Sequence, residues 1–403
     1  MTRIFLGKPG VACCAGLSSE ELYQNATMGK RDGIKCVKTE SGEDFYAGRI
    51  DDEKIRPTRA RYDMRICRIQ EMALDQIASQ VESAVSRYGS KRVAVCVGSC
   101  DNGTEFSVGG HKVFLSTGKF DGSYSLEMQS ADYQATLVKE KFGLEGPCLA
   151  FSTACSSSAE AIIKGAQLMN AGLADAVVAG GVDITSDTVL LGFGSLEAVS
   201  PEITNPFSKN RSGITLGEGA GFFVMTRDED AASIGCSQVE LLGWGNSCDA
   251  HHMTSPDPSG DGAYRAMEEA LRKADVKPEH VGYVNLHGTG TRLNDSMESL
   301  AVSRIFGSYK VAVSTTKPLT GHTLGAGSAI ELALCWELID QGRRNPKTAL
   351  PVQLWDGELD PDLPLLNFVG LKNNVPQSPV KICMSNSFAF GGANACLIIG
   401  DRT

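Results

Sequence analysis

Short apolar runs, each followed by a turn of small residues and then by a helical pattern, recur along the chain. Three runs in the first half are rich in small or β-branched residues, which is typical of buried strands: "RVAVCVGS" (92–99), "PCLAFST" (147–153) and "DAVVAGGVD" (175–183). Between the last two, apolar residues lie at helical spacing and the pattern stops at Gly172. These helical positions are Ala159, Ile162, Ile163 and Ala166. The order strand, turn, helix, strand predicts an α/β fold.

The second half repeats this arrangement. Its strand-like and helical runs are "HVGYVNLHGTG" (280–290), "YKVAVSTTK" (309–317), "SAIELALCWELI" (328–339) and "VKICMSNSF" (380–388). The segments "LAFSTAC" and "VAVSTTK" both lead an apolar strand to a Ser-Thr pair before a turn. The sequence therefore predicts a duplicated α/β unit.

The charge balance restricts the partners. With 38 Lys and Arg against 48 Asp and Glu, the formal net charge is −10, which disfavours a general nucleic-acid binder. Residues 54–68 are an exception, because this stretch is basic and holds a single acid, Asp63. Its basic residues are Lys54, Arg56, Arg59, Arg61, Arg65 and Arg68. The stretch forms either a solvated helix face or a docking patch for an acidic partner.

The thirteen cysteines are scattered, and many lie in apolar runs, as buried thiols do in a reducing compartment. We therefore expect a cytoplasmic protein without a disulfide framework. No Cys-x-x-Cys pair occurs, and His251-His252 has no partner cluster, so a structural zinc site is not expected. At the start of the chain, Lys8-Pro9 interrupts the only possible signal-peptide core, which favours a first strand and turn. No run of about 18 uncharged apolar residues predicts a membrane span.

Cys155 lies where "LAFSTAC" ends and the predicted helix begins. The dipole and free N–H groups of a helix N-terminus stabilise a thiolate by about 0.3 to 1 kcal/mol, and by up to about 2 kcal/mol in partly buried sites. The sequence therefore predicts a lowered thiol pKa and a candidate nucleophile. A buried structural cysteine is the alternative, because that is the commoner role of this residue type.

Two of the six histidines stand in glycine-flanked turns: His287 in "NLHGTGT" and His322 in "TKPLTGHTLGAG". A histidine at such a turn is placed to face a crevice, where it can donate a hydrogen bond or exchange a proton. A structural role is the alternative for each. The run "GITLGEGAGFF" (213–223) lacks the Lys-Ser/Thr of a phosphate loop, and "GFGSLE" lacks the third glycine of a dinucleotide fingerprint. A nucleotide cofactor is therefore not expected.

Four motifs, taken in order, resemble those of one family: "STACSSSA", "HGTGTRLND", "TKPLTGHTLGAGSAIE" and "SNSFAFGGANACLIIG". From about residue 1 to residue 400 the chain is similar to the β-ketoacyl-acyl carrier protein synthases of the thiolase fold. The resemblance implies duplicated βαβαβαββ halves in a five-layered αβαβα arrangement. Residues 1–235 would carry Cys155, and residues 236–403 would carry the two histidines and a lysine, Lys317.

The resemblance also implies roles for these residues. Cys155 would carry the acyl group as a thioester, and the backbone N–H groups of Cys155 and Phe390 would form its oxyanion hole. Loss of one such donor generally costs about 3 to 4 kcal/mol of transition-state stabilisation. His287 and His322 would hold the thioester carbonyl of the malonyl-carrier while carbon dioxide leaves.

Further positions follow from the same resemblance. Lys317 would hydrogen-bond His322 and pair with Glu331, which would fix the orientation of that imidazole. Three threonines match positions near a phosphopantetheine arm: Thr254, Thr289 and Thr291. The residues expected to contact the acyl chain are Phe193, Ile203 and Phe207. The basic stretch aligns with a helix that relatives present to the acidic carrier protein, so carrier docking is predicted at Arg61, Arg65 and Arg68.

The chain departs from the usual pattern at a few positions. Ala389 stands where many relatives have glycine, which predicts a stiffer loop before Phe390. Asn210 and Ser212 stand where housekeeping enzymes usually have acids. Together with "LWDGELDPDLP" (354–364) and "DAHHMTSPDP" (249–258), these changes resemble ketosynthases of aryl polyene pigment clusters.

The resemblance implies decarboxylative Claisen condensation of the Cys155-bound acyl chain with malonyl-acyl carrier protein, in fatty-acid or aryl polyene and polyketide elongation. No metal, flavin or nucleotide would be needed, because the substrates are carried on the 4'-phosphopantetheine of acyl carrier protein. The chain would form a homodimer or a heterodimer with a ketosynthase-like subunit. The alternatives are an acyl-CoA thiolase-like enzyme and a non-catalytic chain-length partner subunit.

Overall fold

The structure, a computed structural model, describes residues 3–58, 61, 63–101, 103–122, 124–372 and 374–401. The strands are β1 Ile4–Gly7, β2 Gly10–Cys13, β3 Ile34–Lys38, β4 Asp44–Gly48, β5 Val93–Gly98, β6 Cys148–Phe151, β7 Ala176–Asp183, β8 Leu216–Gly217, β9 Gly219–Arg227, β10 Cys236–Cys248, β11 Tyr283–Asn285, β12 Ala312–Ser314, β13 Asn367–Phe368, β14 Ile382–Phe388 and β15 Ala393–Gly400. The α-helices are α1 Ser19–Met28, α2 Arg65–Gln76, α3 Ala78–Tyr88, α4 Thr104–Thr117, α5 Tyr133–Phe142, α6 Ser157–Asn170, α7 Asp187–Ser195, α8 Asp228–Ile234, α9 Asp261–Ala274, α10 Arg292–Phe306, α11 Lys317–Thr320 and α12 Gly327–Arg344.

Two groups of five strands have the same order. In the first half it is β6-β5-β7-β9-β1, and in the second it is β12-β11-β14-β15-β10. Strand β5 pairs in parallel with β6 and β7, while β9 is antiparallel to β7. Strand β11 likewise pairs in parallel with β12 and β14, while β15 is antiparallel to β14. The matching order and directions confirm the predicted duplication, and antiparallel pairing of β1 with β10 joins the two groups.

The helices complete five layers. Helices α6 and α12 lie between the two groups of strands and share one apolar core with them. Helices α2, α3 and α5 pack on the outer face of the first group. Helices α9 and α10 cover the second group. This α/β arrangement of helix, sheet, helix, sheet, helix is the predicted αβαβα fold.

The apolar runs of the sequence form the expected elements. The three runs of the first half are β5, β6 and β7, and α6 lies between the last two. In the second half, the runs form β11, β12, α12 and β14, although β11 spans only Tyr283–Asn285. Strand β1 occupies the predicted position at the start of the chain. The exact division of the chain at residue 235 stays a prediction. No helix within the described part of the chain is long and apolar enough to cross a membrane.

A tight turn of the same kind precedes each central helix. The turn Ala154–Ser156 leads into α6, and the turn Leu324–Ala326 leads into α12. Each begins with a side-chain-bearing residue at positive φ, 50° for Ala154 and 47° for Leu324. Such values are uncommon outside glycine, so the surrounding packing must hold the two turns in place.

The start of α6 lies directly on the strands below it. A Cβ atom on Gly98, at the end of β5, would lie 2.3 Å from the backbone carbon of Ser157. A Cβ atom on Gly181, in β7, would lie 2.6 Å from the carbonyl oxygen of Gly98. Real side chains do not approach backbone atoms this closely, so glycine is required for the helix start to reach the sheet.

We predict that Gly98→Ala lowers the free energy of unfolding by about 1 to 3 kcal/mol, because the added methyl group forces α6 away from β5. Gly109→Ala is the matched control, since Gly109 lies on the exposed surface of α4 with open space around it. This control should be neutral or stabilising by up to about 1 kcal/mol. Denaturant unfolding measures both. Equal stability of the two variants would contradict the packing explanation.

Candidate active site

Cys155 lies in the turn Ala154–Ser156, at the start of α6, and is 7% exposed. Side chains of the same segment close this turn. The Ser156 hydroxyl donates to Thr153 O at 2.8 Å, and the Ser157 hydroxyl donates to Ala154 O at 2.6 Å. The serines that are poor residues for a helix interior therefore fix the backbone around the sulfur.

The two predicted histidines lie beside this sulfur. His287 follows β11 and His322 follows α11, and both are buried. His322 Nε2 lies 3.0 Å from Cys155 Sγ. The two imidazole rings meet edge to face with centroids 5.2 Å apart. The structure therefore brings together three residues that are distant in the sequence. Cys155 is at least 132 positions from either histidine, and the two histidines belong to different turns of the second half.

Burial decides the charge state of all three groups. It lowers the pKa of His287 and of His322 well below 6.5, and the nearby Lys317 ammonium lowers both further. Both rings are therefore neutral at neutral pH. Burial raises the pKa of the Cys155 thiol to about 11, although Lys317 and the backbone N–H of Phe390 act to lower it. The predicted lowering of the thiol pKa is wrong, because desolvation outweighs the stabilisation available at the helix start.

Lys317 and Glu331 form a buried ion pair. Lys317 Nζ lies 2.6 Å from Glu331 Oε1, and the two side chains are 2% and 4% exposed. The predicted hydrogen bond from Lys317 to His322 is absent, because His322 Nδ1 has no hydrogen-bond partner among the described residues. Lys317 therefore acts on the histidines through its charge. Glu331 balances that charge, since an unpaired ammonium would be costly at this depth.

Two further carboxylates, which sequence reasoning missed, hold the loop that follows His287. Glu298 on α10 accepts hydrogen bonds from the backbone N–H groups of His287 and Gly288, at 2.8 and 2.7 Å. Burial raises the pKa of Glu298 to about 7. Asp295, one turn earlier, accepts from Gly290 N at 3.2 Å. Acids shortly after "HGTGT" were visible in the sequence, but nothing there showed that they fold back onto the histidine loop.

A cavity of about 430 Å³ reaches Cys155, His287 and His322. The predicted residues that line it are Phe193, Thr254, Thr289, Thr291 and Phe390. The rings of Phe193 and Phe390 are 5.9 Å apart and form part of its wall. Apolar lining residues that the sequence did not indicate are Leu196, Ala198, Ile214, Pro256 and Leu293. The cavity lining therefore combines threonines with aromatic and aliphatic residues.

Two of the residues expected to contact the acyl chain lie elsewhere. Ile203 lines a separate cavity of about 830 Å³ beside Trp355 and Asp356. Phe207 is buried against Phe368, with ring centroids 5.2 Å apart. Neither lines the Cys155 cavity. Their placement corrects the prediction, which could not show that the segment after Ile203 turns away from the site.

The basic stretch is largely engaged in ion pairs. Arg65, the first residue of α2, is 13% exposed and binds the fully buried Glu218 through Nε at 2.9 Å and Nη2 at 2.5 Å. Arg65 is therefore a structural residue, which corrects its assignment to carrier docking. Arg68 binds Asp63 through two contacts of 2.5 Å, and Arg61 lies 3.2 Å from Glu127. Both of these side chains remain at the surface. Arg59, in the same stretch, lies outside the described residues.

The departures from the family pattern have identifiable contacts. Ala389 has φ −108° and ψ 156°, an extended conformation that needs no glycine. Asn210 Nδ2 donates to Asp356 Oδ2 at 2.9 Å, and Ser212 Oγ lies 2.9 Å from Ser200 Oγ. The Asn210 contact attaches the segment 206–214 to the segment 354–364. Ser212 belongs to the walls of both large cavities.

The site could also hold a metal ion. The sulfur of Cys155 and one ring nitrogen each of His287 and His322 lie within 4.8 Å of one another. A thiolate with two imidazoles is a donor set that Zn²⁺ accepts. The expectation that the reaction needs no metal stays a prediction.

Comparison with known proteins agrees with this geometry. The N-terminal domain model of β-ketoacyl synthases matches residues 10–231, and the C-terminal domain model matches residues 239–350. The chain is 35% identical to 3-oxoacyl-[acyl-carrier-protein] synthase 2 of Vibrio cholerae over 327 residues, covering 78% of this chain and 77% of that protein. It is 33% identical to nodulation protein E of Rhizobium meliloti over 338 residues, covering 83% and 81%.

Solved structures give the same result. One is described as a ketosynthase (ApeO) in complex with its chain length factor (ApeC) from Xenorhabdus doucetiae, with a TM-score of 0.87, 36% identity, and coverage of 100% of this chain and 98% of that chain. The ishigamide ketosynthase/chain length factor has a TM-score of 0.85, 28% identity and full coverage of both chains. With both family models matched in order and this architecture, the chain belongs to the β-ketoacyl synthase family and is a β-ketoacyl-acyl carrier protein synthase with the thiolase fold.

Proposed function

We propose that the protein joins an acyl group, held as a thioester on Cys155, to malonyl-acyl carrier protein and releases 3-oxoacyl-acyl carrier protein and carbon dioxide. The observation that carries this proposal is the contact of 3.0 Å between Cys155 Sγ and the neutral His322, with His287 beside them at the cavity wall. The substrates arrive on the 4'-phosphopantetheine arm of the carrier.

In the first half-reaction, the Cys155 thiolate attacks the carbonyl carbon of the acyl-carrier thioester. The new carbon–sulfur bond forms, the carrier thiolate leaves and takes up the proton that the Cys155 thiol has given up, and the acyl group remains on the protein. The backbone N–H groups of Cys155 and Phe390 already act on the sulfur in the direction that favours negative charge. We assign to them the stabilisation of the oxyanion formed during this attack.

In the second half-reaction, His287 and His322 donate hydrogen bonds to the thioester carbonyl of the malonyl group. Their neutrality suits this role, because a neutral ring keeps an N–H donor without adding a full charge to a buried site. The bond to the carboxylate breaks and carbon dioxide leaves. The resulting enolate carbon attacks the acyl thioester, a carbon–carbon bond forms, and Cys155 leaves as the thiolate, which takes up a proton from solvent to restore the resting thiol. The Lys317 ammonium stabilises the negative charge that passes through these steps.

The cavity lining offers polar and apolar residues to the two parts of the substrate. Thr254, Thr289 and Thr291 line this cavity, and threonine hydroxyls suit the amide groups of a phosphopantetheine arm. Phe193 and Phe390, in the same lining, suit the acyl chain.

The retained site disfavours the two alternatives. A non-catalytic chain-length partner needs no nucleophile, whereas here Cys155 lies in hydrogen-bonding distance of His322. A thiolase-like enzyme of degradative type has a second catalytic cysteine before its C-terminal glycine run. This chain has "SNSFAFGG" there, and Cys396 is fully buried after the glycines.

We further propose that the protein elongates aryl polyene chains. The segments 206–214, 249–258 and 354–364 carry this assignment through their sequences, and the first and last are bound to each other through Asn210 and Asp356. Whole-chain similarity to a ketosynthase that is described with a chain length factor supports a specialised pathway. The acyl-carrier panel described below tests this assignment.

Carrier docking is proposed at Arg61 and Arg68, which remain at the surface. Their ion pairs with Glu127 and Asp63 are exposed, and exposed pairs contribute only about 0 to 1 kcal/mol. An acidic carrier could therefore replace these partners at low energetic cost. Arg65 is excluded, because its partner Glu218 is buried.

A second thiolase-fold chain is the proposed partner subunit, either another copy or a related ketosynthase-like chain. Strand β6 ends the strand order, and Leu149 on it is 39% exposed. Helix α4 has no buried residue among those described, although it carries Phe114 and Leu115, the latter 84% exposed. An open strand edge and an exposed apolar helix are each the kind of surface that a stable partner covers.

We predict that Cys155→Ala abolishes the acyl adduct seen by intact-mass analysis after incubation with a panel of acyl-carrier proteins. His287→Ala and His322→Ala should lower malonyl-carrier decarboxylation by about 100-fold or more, and acylation much less. His280→Ala is the control, because His280 is an exposed residue of the same half. Full acylation of the Cys155→Ala variant would show that Cys155 is not the nucleophile. Equal loss in both half-reactions would contradict the division of roles.

Preference for aryl-polyenoyl carriers in the panel would support the pathway assignment, and exclusive use of saturated chains would exclude it.

We predict that the rate of Cys155 alkylation by iodoacetamide rises with pH throughout the range 7 to 10. The thiol pKa is raised to about 11, so the thiolate fraction grows about tenfold for each pH unit below that value. Mass spectrometry of the peptide that contains Cys155 measures the rate. A plateau near pH 8 would show that the free enzyme already holds a thiolate.

We predict that Leu115→Glu raises the dissociation constant of the two-chain assembly at least about tenfold, which corresponds to about 1.4 kcal/mol. Leu173→Glu is the matched control, since Leu173 is 55% exposed and lies outside α4 and β6. Sedimentation analysis, alone and with a co-expressed ketosynthase-like chain, distinguishes the two kinds of partner. Unchanged assembly of the Leu115 variant would exclude α4 from the interface.

A further inference from the structure

Asp183 is a buried carboxylate near the active site that has no role in the proposed chemistry. It ends β7 and is 1% exposed. Its Oδ1 accepts hydrogen bonds from Ser99 Oγ at 3.0 Å, from Cys100 N at 2.9 Å and from Asp101 N at 2.9 Å. Its Oδ2 accepts from Gly325 N at 2.5 Å. Four donors on one carboxylate form an unusually complete set, which fixes both oxygens.

These donors come from both halves of the molecule. Ser99, Cys100 and Asp101 belong to the loop after β5, whereas Gly325 belongs to the turn before α12. A Cβ atom on Gly325 would lie 2.6 Å from Asp183 Oδ2. The carboxylate therefore occupies the space that a side chain at position 325 would need, and it ties the second half to the first.

The tied turn is the one that follows His322. The backbone of His322 is held on its other side, where its N–H donates to Thr215 O at 2.7 Å and its carbonyl accepts from Gly217 N at 2.9 Å. The Asp183 contact three residues later fixes the direction in which the chain leaves the histidine. With both attachments in place, Nε2 lies 3.0 Å from the sulfur of Cys155.

We infer that Asp183 is a positioning residue, whose carboxylate sets His322 at hydrogen-bonding distance from Cys155 by bridging the two halves. The inference rests on the proposed condensation and names a residue that supports it without touching the substrate.

The charge of this carboxylate has a separate effect. Asp183 acts to raise the pKa of Cys155, after burial as the main cause. Burial, followed by the charge of Asp101, raises the pKa of Asp183 itself to about 7. The groups that face it are Ser99, Cys100, Asp101, Cys155 and Gly325. At pH 8 the carboxylate is therefore mostly ionised and disfavours the thiolate.

Positioning and charge give opposite signs in Asp183→Asn, which makes the test specific. The amide keeps the size of the side chain, but its NH₂ group must face backbone N–H groups, since Cys100 N contacts both oxygens and Gly325 N contacts Oδ2. Condensation turnover at pH 8 should fall at least about tenfold, which corresponds to about 1.4 kcal/mol. Alkylation of Cys155 by iodoacetamide should rise roughly twofold, because the negative charge is gone.

Asp230→Asn is the matched control, because Asp230 is a 3% exposed carboxylate on α8 that binds Tyr88 OH away from the site. It should leave turnover and alkylation within about twofold of the wild-type values. A folded Asp183→Asn variant with turnover within threefold of wild type would overturn the inference. A parallel fall in turnover and alkylation would also overturn it, since that pattern indicates general damage.

Ser99→Ala decides the question if the asparagine variant does not fold. It removes one of the four donors and leaves the three backbone bonds in place. Turnover should fall by about threefold, because the three remaining bonds keep most of the positioning, while alkylation stays unchanged. Wild-type turnover in this variant would overturn the inference. The acyl adduct on Cys155 is measured in the same samples by intact mass, so failure of the condensation proposal itself would be seen separately.

Discussion

The site depends on how closely the two halves can approach each other. Backbone atoms at the end of α11 lie against β8, and a Cβ atom on Gly217 would fall 2.3 Å from Thr320 O. Around Cys155, Gly98 and Gly181 mark close approaches within the first half, and Gly325 marks one between the halves, where an added Cβ atom would lie 2.6 Å from Asp183 Oδ2. At these contacts even a methyl group is too large. The distance of 3.0 Å between His322 Nε2 and Cys155 Sγ therefore depends on close packing both within the first half and between the halves.

Burial then sets the chemistry that this packing makes possible. The same desolvation that keeps both histidines neutral also keeps the Cys155 thiol protonated. Lys317 is the one nearby cation among the described residues that favours the thiolate, and it favours neutral histidines as well. A single buried ammonium, balanced by Glu331, thus acts on the cysteine and on both histidines. In the resting protein Cys155 is therefore a weakly reactive thiol.

The sequence made the repeated strands, the central helices and the order of the active-site motifs predictable, because these depend on local periodicity and on short runs of residues. Long-range pairing was not predictable. Arg65 reads as a free basic residue until the fold buries Glu218 beside it. Phe207 reads as a pocket residue until the chain turns it toward Phe368. Asp183 has no motif at all, because its donors are distributed over two loops of different halves.

The similar turns before α6 and α12 explain why a cysteine side chain fits in only one of them. Residues 153–159 read "TACSSSA" and residues 323–329 read "TLGAGSA", so Cys155 and Gly325 occupy corresponding places in a pseudo-symmetric pair. The two turns begin with a similar positive φ, and they differ in the residue that follows, Cys155 in one and Gly325 in the other. A cysteine side chain at position 325 would collide with the carboxylate of Asp183, which occupies that space. The fold thus has two equivalent turns: the first carries a thiol, and the second binds the Asp183 carboxylate, which links it to the first half.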